Sequence, residues 1–312
     1  MMLFARSMLK YSMRPASVSV MLPSLLCSKA VLQSWQAFII FSNIFTYFLK
    51  GVIMNIAIKE GAESIGELCG FPSDAEFCLD FKRRIEEYCA EIGADQNHIR
   101  DVAIHNEPRF GEVKRVSYDP PGYDILFYQA IPLFLYKDNP DNTRFAESVV
   151  KHELYHCKDI DLIGTMLDLS EIEHNSHNID ELCTNLGYRQ WGEFYAHYNS
   201  CTIYESCYKS IAELGDLYER ATNLTGGADD WIALYETIAH PHIRNAVILA
   251  ANNSRLHSKK VQNCIAEFAA AHESSGEYLK RVQNVFEEKY RNYPNWVSYD
   301  VFKELGEILL DM

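Results

Sequence analysis

The chain has 312 residues, enough for one large domain or for two, each with its own hydrophobic core. Hydrophobic residues make up 48% of it, including 19 tyrosines and 16 phenylalanines, which excludes a wholly disordered protein. The formal net charge of −14 argues against non-specific binding to nucleic acid and weakly favours neutral or basic substrates over acidic ones.

Residues 1–57 differ in composition from the rest of the chain. No acidic residue precedes Glu60, and the stretch from Ala37 to Leu49 is strongly apolar but flanked and interrupted by polar residues. Three interpretations stay open: an organellar transit segment, a membrane anchor, or an upstream extension of a protein that starts at Met54. The last is slightly preferred, because ordinary globular composition begins there.

The next part of the chain predicts a helix and then a small sheet. Residues 64–92 carry apolar side chains at helical spacing. The pattern over 102–105, 112–118 and 123–136 is typical of short strands, and Pro132 limits the end of the last to a strand start, an edge or a bulge. We expect an antiparallel sheet whose edge strand can accept an extended peptide by main-chain pairing.

A His-Glu-x-x-His motif, His152-Glu153-Leu154-Tyr155-His156, follows this predicted sheet. The apolar spacing around it predicts a helix that begins near residues 141–143 and ends near Gly164. Residues four apart share a helix face, so both histidines can bind one metal ion, with Glu153 beside them as a proton acceptor. The motif also occurs by chance on solvated helices, but the apolar context favours a metal site.

A catalytic zinc ion takes three protein ligands and leaves one position for water. Glu193 is the preferred third ligand, because it lies on a second helix predicted from Trp191 onward, where Ala196 leaves room for close packing. The segment between the two helices offers four competing ligands, although for most of them a polar surface loop is the preferred interpretation: His174, His177, Asp180 and Glu181.

The motif and the downstream glutamate together resemble the gluzincins, the His-Glu-x-x-His metallopeptidases whose third ligand is a glutamate on a later helix. The resemblance covers about residues 100–210. It implies a zinc ion bound by His152, His156 and Glu193, Glu153 as general base, and a peptide or protein substrate. In its compact size the chain resembles the minimal gluzincins of bacterial and phage regulatory systems more than it resembles thermolysin. In the thermolysin-like pattern an aspartate stands four residues after the ligand glutamate, whereas this chain has His197.

The sequence therefore predicts an α+β fold in three parts. An N-terminal extension over 1–57 precedes a zincin-like metallopeptidase domain over 58–210, in which the antiparallel sheet packs on the active-site helix. A mainly helical region follows over 211–312, with helices predicted over 208–223, 229–253, 258–291 and 299–311.

The predicted function is a zinc-dependent metallopeptidase that hydrolyses peptide bonds with Glu153 as general base. The alternative is a zincin-like protein-interaction or regulatory module with a structural zinc, which a closed four-ligand site including Cys157 or His177 would favour. The helical region after residue 208 is expected either to cover the site or to bind a regulatory protein partner. Nine scattered cysteines without a paired pattern predict a cytoplasmic location, unless residues 1–53 direct the protein to a membrane or an organelle.

Other residues are candidates by type alone. Asp159 and Asp161 either orient a zinc-bound histidine or belong to the solvated surface, and the second interpretation is preferred. A donor is also needed for the oxyanion that develops during hydrolysis. Five side chains qualify by type: Tyr195, His197, Tyr198, His240 and His242.

Overall fold

The computed structural model describes residues 54–59, 64–106, 111–137, 139–172, 178–200, 210–217 and 239–311. Most of the predicted N-terminal extension lies outside these ranges, as do two of the competing ligands, His174 and His177. Within the described ranges, no helix combines the length and the apolar character needed to cross a membrane.

The strands are β1 (Asn55–Ile58), β2 (Ile99–His105), β3 (Gly111–Tyr118) and β4 (Pro121–Tyr128). The helices up to the motif are α1 (Ile65–Leu68), α2 (Asp74–Ile92), α3 (Ala130–Tyr136) and α4 (Pro140–Met166). Those that follow are α5 (Leu169–Ile172), α6 (Ile179–Ser200), α7 (His240–Leu256), α8 (Lys259–Ala271), α9 (Glu273–Asn292) and α10 (Asp300–Leu310). Residues 210–217 are also helical.

The predicted α+β class is confirmed, with a helical C-terminal part, but the sheet is mixed rather than antiparallel. Its strand order is β1-β2-β4-β3; β2 runs parallel to both β1 and β4, and only the β3–β4 hairpin is antiparallel. The reason is connectivity. Because α2 lies between β1 and β2, the chain crosses over before it returns to the sheet, and such crossovers pair strands in parallel.

Residues 130–136 form helix α3, so the strand predicted there is wrong. Pro132 lies in the first helical turn, where a backbone N–H has no intrahelical acceptor to lose. Ile131 and Leu135, four residues apart, are buried on one face. The apolar run is therefore a buried helix face, which a short sequence window does not distinguish from a buried strand.

The motif lies in α4, as predicted, and local chemistry explains where this helix begins. The Asn139 side chain accepts hydrogen bonds from the backbone N–H groups of Asp141 and Asn142, at 3.1 and 3.3 Å. Pro140 occupies the first helical position, where its fixed φ suits the helix. The helix extends two residues beyond Gly164 to Met166.

Two hydrophobic cores meet at α4. The sheet core packs α2, α4 and the strands together and includes Phe81, Phe127 and Leu154. The helical core packs the C-terminal end of α4 against α6 and the later helices and includes Ile163 and Trp191. The His-Glu-x-x-His motif therefore lies on a helix that is packed on both sides. The domain boundary near residue 210 stays a prediction.

Helices α6 and α10 approach each other until their backbones touch. A Cβ added at Gly187 would lie 1.9 Å from the carbonyl oxygen of Phe302, and one at Gly306 would lie 1.9 Å from that of Cys183. Only glycine allows this distance. The last helix of the chain thus fixes the helix that carries Glu193.

Candidate metal centre

His152 and His156 lie one turn apart on α4 and face the same point. Their Nε2 atoms are 3.1 Å apart, and their rings meet edge to face with centroids 4.6 Å apart. Burial lowers the pKa of both imidazoles below the ordinary value of 6.5. Both rings are therefore neutral at pH 7, which is the form in which imidazole binds a metal ion.

Glu193 reaches the same point from α6. Its Oε1 atom lies 3.9 Å from Nε2 of His156, and one potential ligand atom each from His152, His156 and Glu193 lies within 4.8 Å of the others. Burial by itself raises the pKa of Glu193, but the neighbouring His156, Arg244 and His197 more than offset this and lower it. The carboxyl group is thus ionised.

Small residues let α6 come this close to α4. A Cβ at Gly192 would lie 3.4 Å from Nδ1 of His156, which is tighter than most real contacts. Ala196, predicted to leave room on this face, is fully buried one turn later. The helix itself is longer than predicted at its start, because it begins at Ile179 rather than at Trp191.

The three side chains fit a zinc ion by type and by spacing. Two neutral imidazoles and one carboxylate form a known ligand set of catalytic zinc. Two Zn–N bonds of about 2.0–2.1 Å at a tetrahedral angle place the nitrogen atoms about 3.3 Å apart, close to the 3.1 Å between the Nε2 atoms of His152 and His156. Oε2 of Glu193 is buried without a hydrogen bond, so no donor holds this oxygen in place.

Glu153 is wedged between α4 and the edge strand β3. Its side chain is buried, and a Cβ at Gly111 would lie 2.3 Å from its Oε1 atom. Burial and the nearby charge of Glu193 raise its pKa to about 8. A carboxyl group with a pKa near neutrality both accepts and releases protons readily, as a general base must.

His197 lies beside this group without being part of it. Its Nε2 atom is 3.7 Å from Oε2 of Glu193, and its ring centroid is 4.4 Å from that of His152. Of the five oxyanion candidates, two lie near the three proposed ligands. His197 is in contact with them, and His240 is near enough to lower the pKa of Glu193. The others pack on aromatic rings: Tyr195 and Tyr198 on Tyr290, and His242 on Tyr278.

The described competing ligands lie elsewhere. Asp180, at the start of α6, forms an ion pair of 3.0 Å with Lys303. Glu181 accepts a hydrogen bond of 2.7 Å from Asn178. Cys157 is buried in the sheet core. In the part of the chain that the structure describes, no further histidine, cysteine or carboxylate joins the group of three.

Asp159 does not belong to the solvated surface, so the preferred interpretation of this residue is wrong, whereas the side chain of Asp161 is 20% exposed. Asp159 is 1% exposed and accepts hydrogen bonds from Trp191 Nε1 (3.1 Å) and the Tyr293 hydroxyl (2.6 Å). Asp161 accepts a hydrogen bond of 2.5 Å from the Tyr123 hydroxyl. Because α4 is covered on both sides, polar residues that would face water on a surface helix need partners here.

Arg244 is a residue of this centre that the sequence did not predict. It lies near the start of α7, and its Nε atom is 3.8 Å from Oε2 of Glu193. Its charge also lowers the pKa of His152 and His156. The sequence predicted a helix over 229–253, and the described helix α7 begins within that range, at His240. The position of Arg244 depends on how α7 packs on α6, and no motif encodes that packing.

Comparison of the chain with protein-family models, with curated proteins and with solved structures found no match. The functional conclusion therefore depends on the geometry of His152, Glu153, His156 and Glu193 and on the chemistry of their side chains.

Proposed function

We propose that this chain is a zinc-dependent metallopeptidase of the gluzincin type. The observation that carries the proposal is the convergence of His152, His156 and Glu193 from two helices, with the buried carboxyl group of Glu153 next to them. A structural zinc site has four protein ligands and no use for a general base. Within the described residues, only three ligands converge, which supports a hydrolase over the interaction module with a structural zinc.

In this proposal, His152, His156 and Glu193 hold the zinc ion. Zinc bound there supplies a Lewis acid that polarises the scissile carbonyl and acidifies the attacking water. Glu153 accepts the proton of that water on a carboxylate oxygen and then delivers it to the nitrogen of the leaving amine. Burial favours the neutral carboxyl group and so helps Glu153 to keep the proton between the two steps.

The edge strand β3 supports a peptide as substrate. It is the outermost strand of the sheet on its side, so one edge of its backbone is not paired within the sheet. Its first residue, Gly111, lies against Glu153. An extended peptide that added to this edge by main-chain hydrogen bonds would bring a peptide bond to Glu153 and the metal ligands.

A reducing, cytoplasmic location belongs to the same proposal. The described cysteines are free thiols. Burial raises the pKa of the Cys89 thiol to about 12 and that of the Cys157 thiol well above its ordinary value, so both resist oxidation. A regulatory protein partner and the absence of a nucleic-acid partner stay predictions.

The test is a cleavage assay on a complex peptide pool. The zinc-loaded chain is incubated with peptides from a digested proteome, and new termini are identified by mass spectrometry. We expect cleavage by the wild type, and a rate at least about a hundredfold lower for Glu153→Gln, because a general base contributes about 10²–10⁴ in rate. The matched control is Glu147→Gln on the same helix, where the carboxylate accepts a hydrogen bond from the Tyr88 hydroxyl and lies outside the group of three.

Two results would contradict the proposal. The first is a wild-type chain that binds zinc and cleaves nothing in the pool. The second is an equal cleavage rate for Glu153→Gln, which would show that another residue, or a contaminating protease, is responsible.

A further inference from the structure

The side chain of Arg244 places a positive charge at the solvent-facing side of the candidate metal centre. It is 55% exposed, whereas the side chain of Glu193 beside it is 24% exposed. Across the described ranges, Glu193 is the acidic group with which Arg244 forms an ion pair, and Nε is the atom that faces it. The contact uses Nε, so among the described residues the two Nη groups of the 55% exposed side chain keep their donors for a ligand.

The charge of Arg244 acts on the whole centre. It is among the charges that lower the pKa of His152, His156 and His197, and also those of Glu153 and Glu193. With a zinc ion bound and Glu153 ionised, the two carboxylates of the centre balance the divalent cation. The positive charge of Arg244 is then left over, in a chain whose net charge is −14.

A guanidinium group fits a carboxylate by shape and by charge. Its planar donors form two parallel hydrogen bonds with the two oxygens of one carboxylate. A substrate whose carbonyl lies beside Glu193 would bring its neighbouring residue within reach of Arg244.

We propose that Arg244 binds a carboxylate of the substrate next to the scissile bond and so determines specificity. This inference rests on the proposed function. The carboxylate has two sources, the free C-terminus of a peptide or the side chain of an aspartate or glutamate. A preference for such substrates is the reverse of what the net charge of the chain suggests, because the charge next to the scissile bond matters more than distant charges that salt screens.

The experiment measures binding rather than turnover. Four zinc-binding dipeptide hydroxamates are titrated into the zinc-loaded full chain by calorimetry. In the first pair, Ala-Ala ends in a free carboxylate or in a carboxamide. In the second pair, both compounds end in a carboxamide; the dipeptide of one is Asp-Ala, with a side-chain carboxylate, and that of the other is Asn-Ala, with a neutral amide. The ratio of the dissociation constants within each pair isolates one source of the carboxylate.

We expect one of the two ratios to reach about tenfold in favour of the carboxylate, as is typical of a charge-assisted, two-bond contact. In Arg244→Gln this ratio falls to within about twofold, and in Arg244→Lys, which keeps the charge without the planar fork, it is intermediate. The matched control is Arg255→Gln, on the exposed face at the other end of α7, where the ratio stays as in wild type. Zinc content is measured for each variant, so that a misfolded chain is recognised.

The outcomes separate this inference from the proposed function. If the neutral hydroxamates bind the wild type but both ratios stay near one, or if the ratio persists in Arg244→Gln, Arg244 is no carboxylate receptor. A role for Arg244 in oxyanion stabilisation alone would also leave both ratios near one. If none of the four compounds binds the zinc-loaded wild type, the metallopeptidase proposal fails, and this inference fails with it.

Discussion

At the residue scale, α4 carries two buried carboxyl groups that differ in their surroundings. Glu153 lies next to the proposed metal ligands and the edge strand, and its pKa is raised to about 8. Asp159, two turns further on, lies between Trp191 and Tyr293, whose hydrogen bonds only partly offset the effect of burial, which raises its pKa to about 7. We assign proton transfer to Glu153 and a structural role to Asp159, since the latter is enclosed by the helical core.

The raised pKa of Asp159 predicts a stability that depends on pH. Its ordinary pKa is 3.8, so between about pH 4 and pH 7 the folded chain holds a proton that the unfolded chain releases. Stability is therefore highest at the acid end and falls as the pH rises through this window. Between pH 5 and pH 8 we expect the wild type to lose roughly 2–3 kcal/mol relative to Asp159→Asn, whose side chain does not titrate.

Urea unfolding at the two pH values measures this difference, with a chelator present so that bound metal does not contribute. Both proteins share every other titrating group, so the variant is the control for the rest of the chain. Parallel changes in the two unfolding free energies would show that Asp159 is already ionised in the folded protein below pH 5.

The sequence predicted the site residues that lie close together along the chain. It missed Arg244, which reaches the site only through the packing of distant helices. His152, Glu153 and His156 were recognised because helical spacing alone puts them together. Glu193 was chosen because it lies on a second predicted helix beside the small residue Ala196, and the structure brings it to the histidines. Arg244 was not found because it joins the site only through the packing of α7 on α6.

At the scale of helices and strands, too, elements set by local sequence were predictable and elements set by distant contacts were not. Helix α4 was predictable because its cap, its first-turn proline and its apolar spacing agree. Strand β1 has only four residues, and its parallel pairing with β2 depends on a distant segment. The apolar residues of α3 follow one another without the spacing that distinguishes a helix from a strand, so the sequence predicted a strand there.

The close contact of β3 with α4 predicts that Gly111 is required for catalysis but not for metal binding. In Gly111→Ala the added Cβ would overlap the carboxyl group of Glu153, which must then move. We expect peptide cleavage to fall by up to about a hundredfold, because a displacement of about 1 Å in a catalytic group has this effect. Zinc content stays unchanged, since the metal ligands are not touched.

Gly122→Ala, in the partner strand β4, is the matched control. Its added Cβ would meet the flexible side chain of Arg100 at 2.9 Å, and this side chain can shift. Cleavage assays and zinc analysis on both variants test whether Gly111→Ala loses activity while it keeps its zinc. Equal activities for the two variants would mean that Glu153 tolerates the displacement, or that it is not the general base.

At the scale of the whole molecule, the C-terminal helices are part of the structure that positions the site. Helix α10 packs on α6 through Gly187 and Gly306, and Tyr293 donates a hydrogen bond to Asp159 on α4. These contacts join residues more than a hundred positions apart in the chain. The sequence predicted helices in this region but not their packing on α4 and α6, because such contacts leave no local pattern.

This packing predicts a large effect for a small substitution at the end of the chain. In Gly306→Ala the added Cβ would lie 1.9 Å from the backbone oxygen of Cys183, and a backbone atom cannot move aside as a side chain does. We expect a loss of about 1–3 kcal/mol in the free energy of unfolding, as is typical of overpacking. Urea denaturation measures the loss.

Gly215→Ala is the control, because this helical glycine has nothing within 4 Å of the added Cβ. There the better helix propensity of alanine should stabilise the chain by up to about 1 kcal/mol. If Gly306→Ala were as stable as Gly215→Ala, the close approach of α6 and α10 would be wrong, and with it the account of how Glu193 is held in place.

The most direct test of the central claim is the zinc content of the purified chain after zinc is supplied and excess removed. We predict about one zinc ion per chain in wild type and in Asp180→Ala, which removes a competing ligand on α6. His152→Ala and Glu193→Ala should lose it. Zinc retained in Glu193→Ala would contradict the assignment of the third ligand, and a wild type that binds no zinc would contradict the metallopeptidase itself.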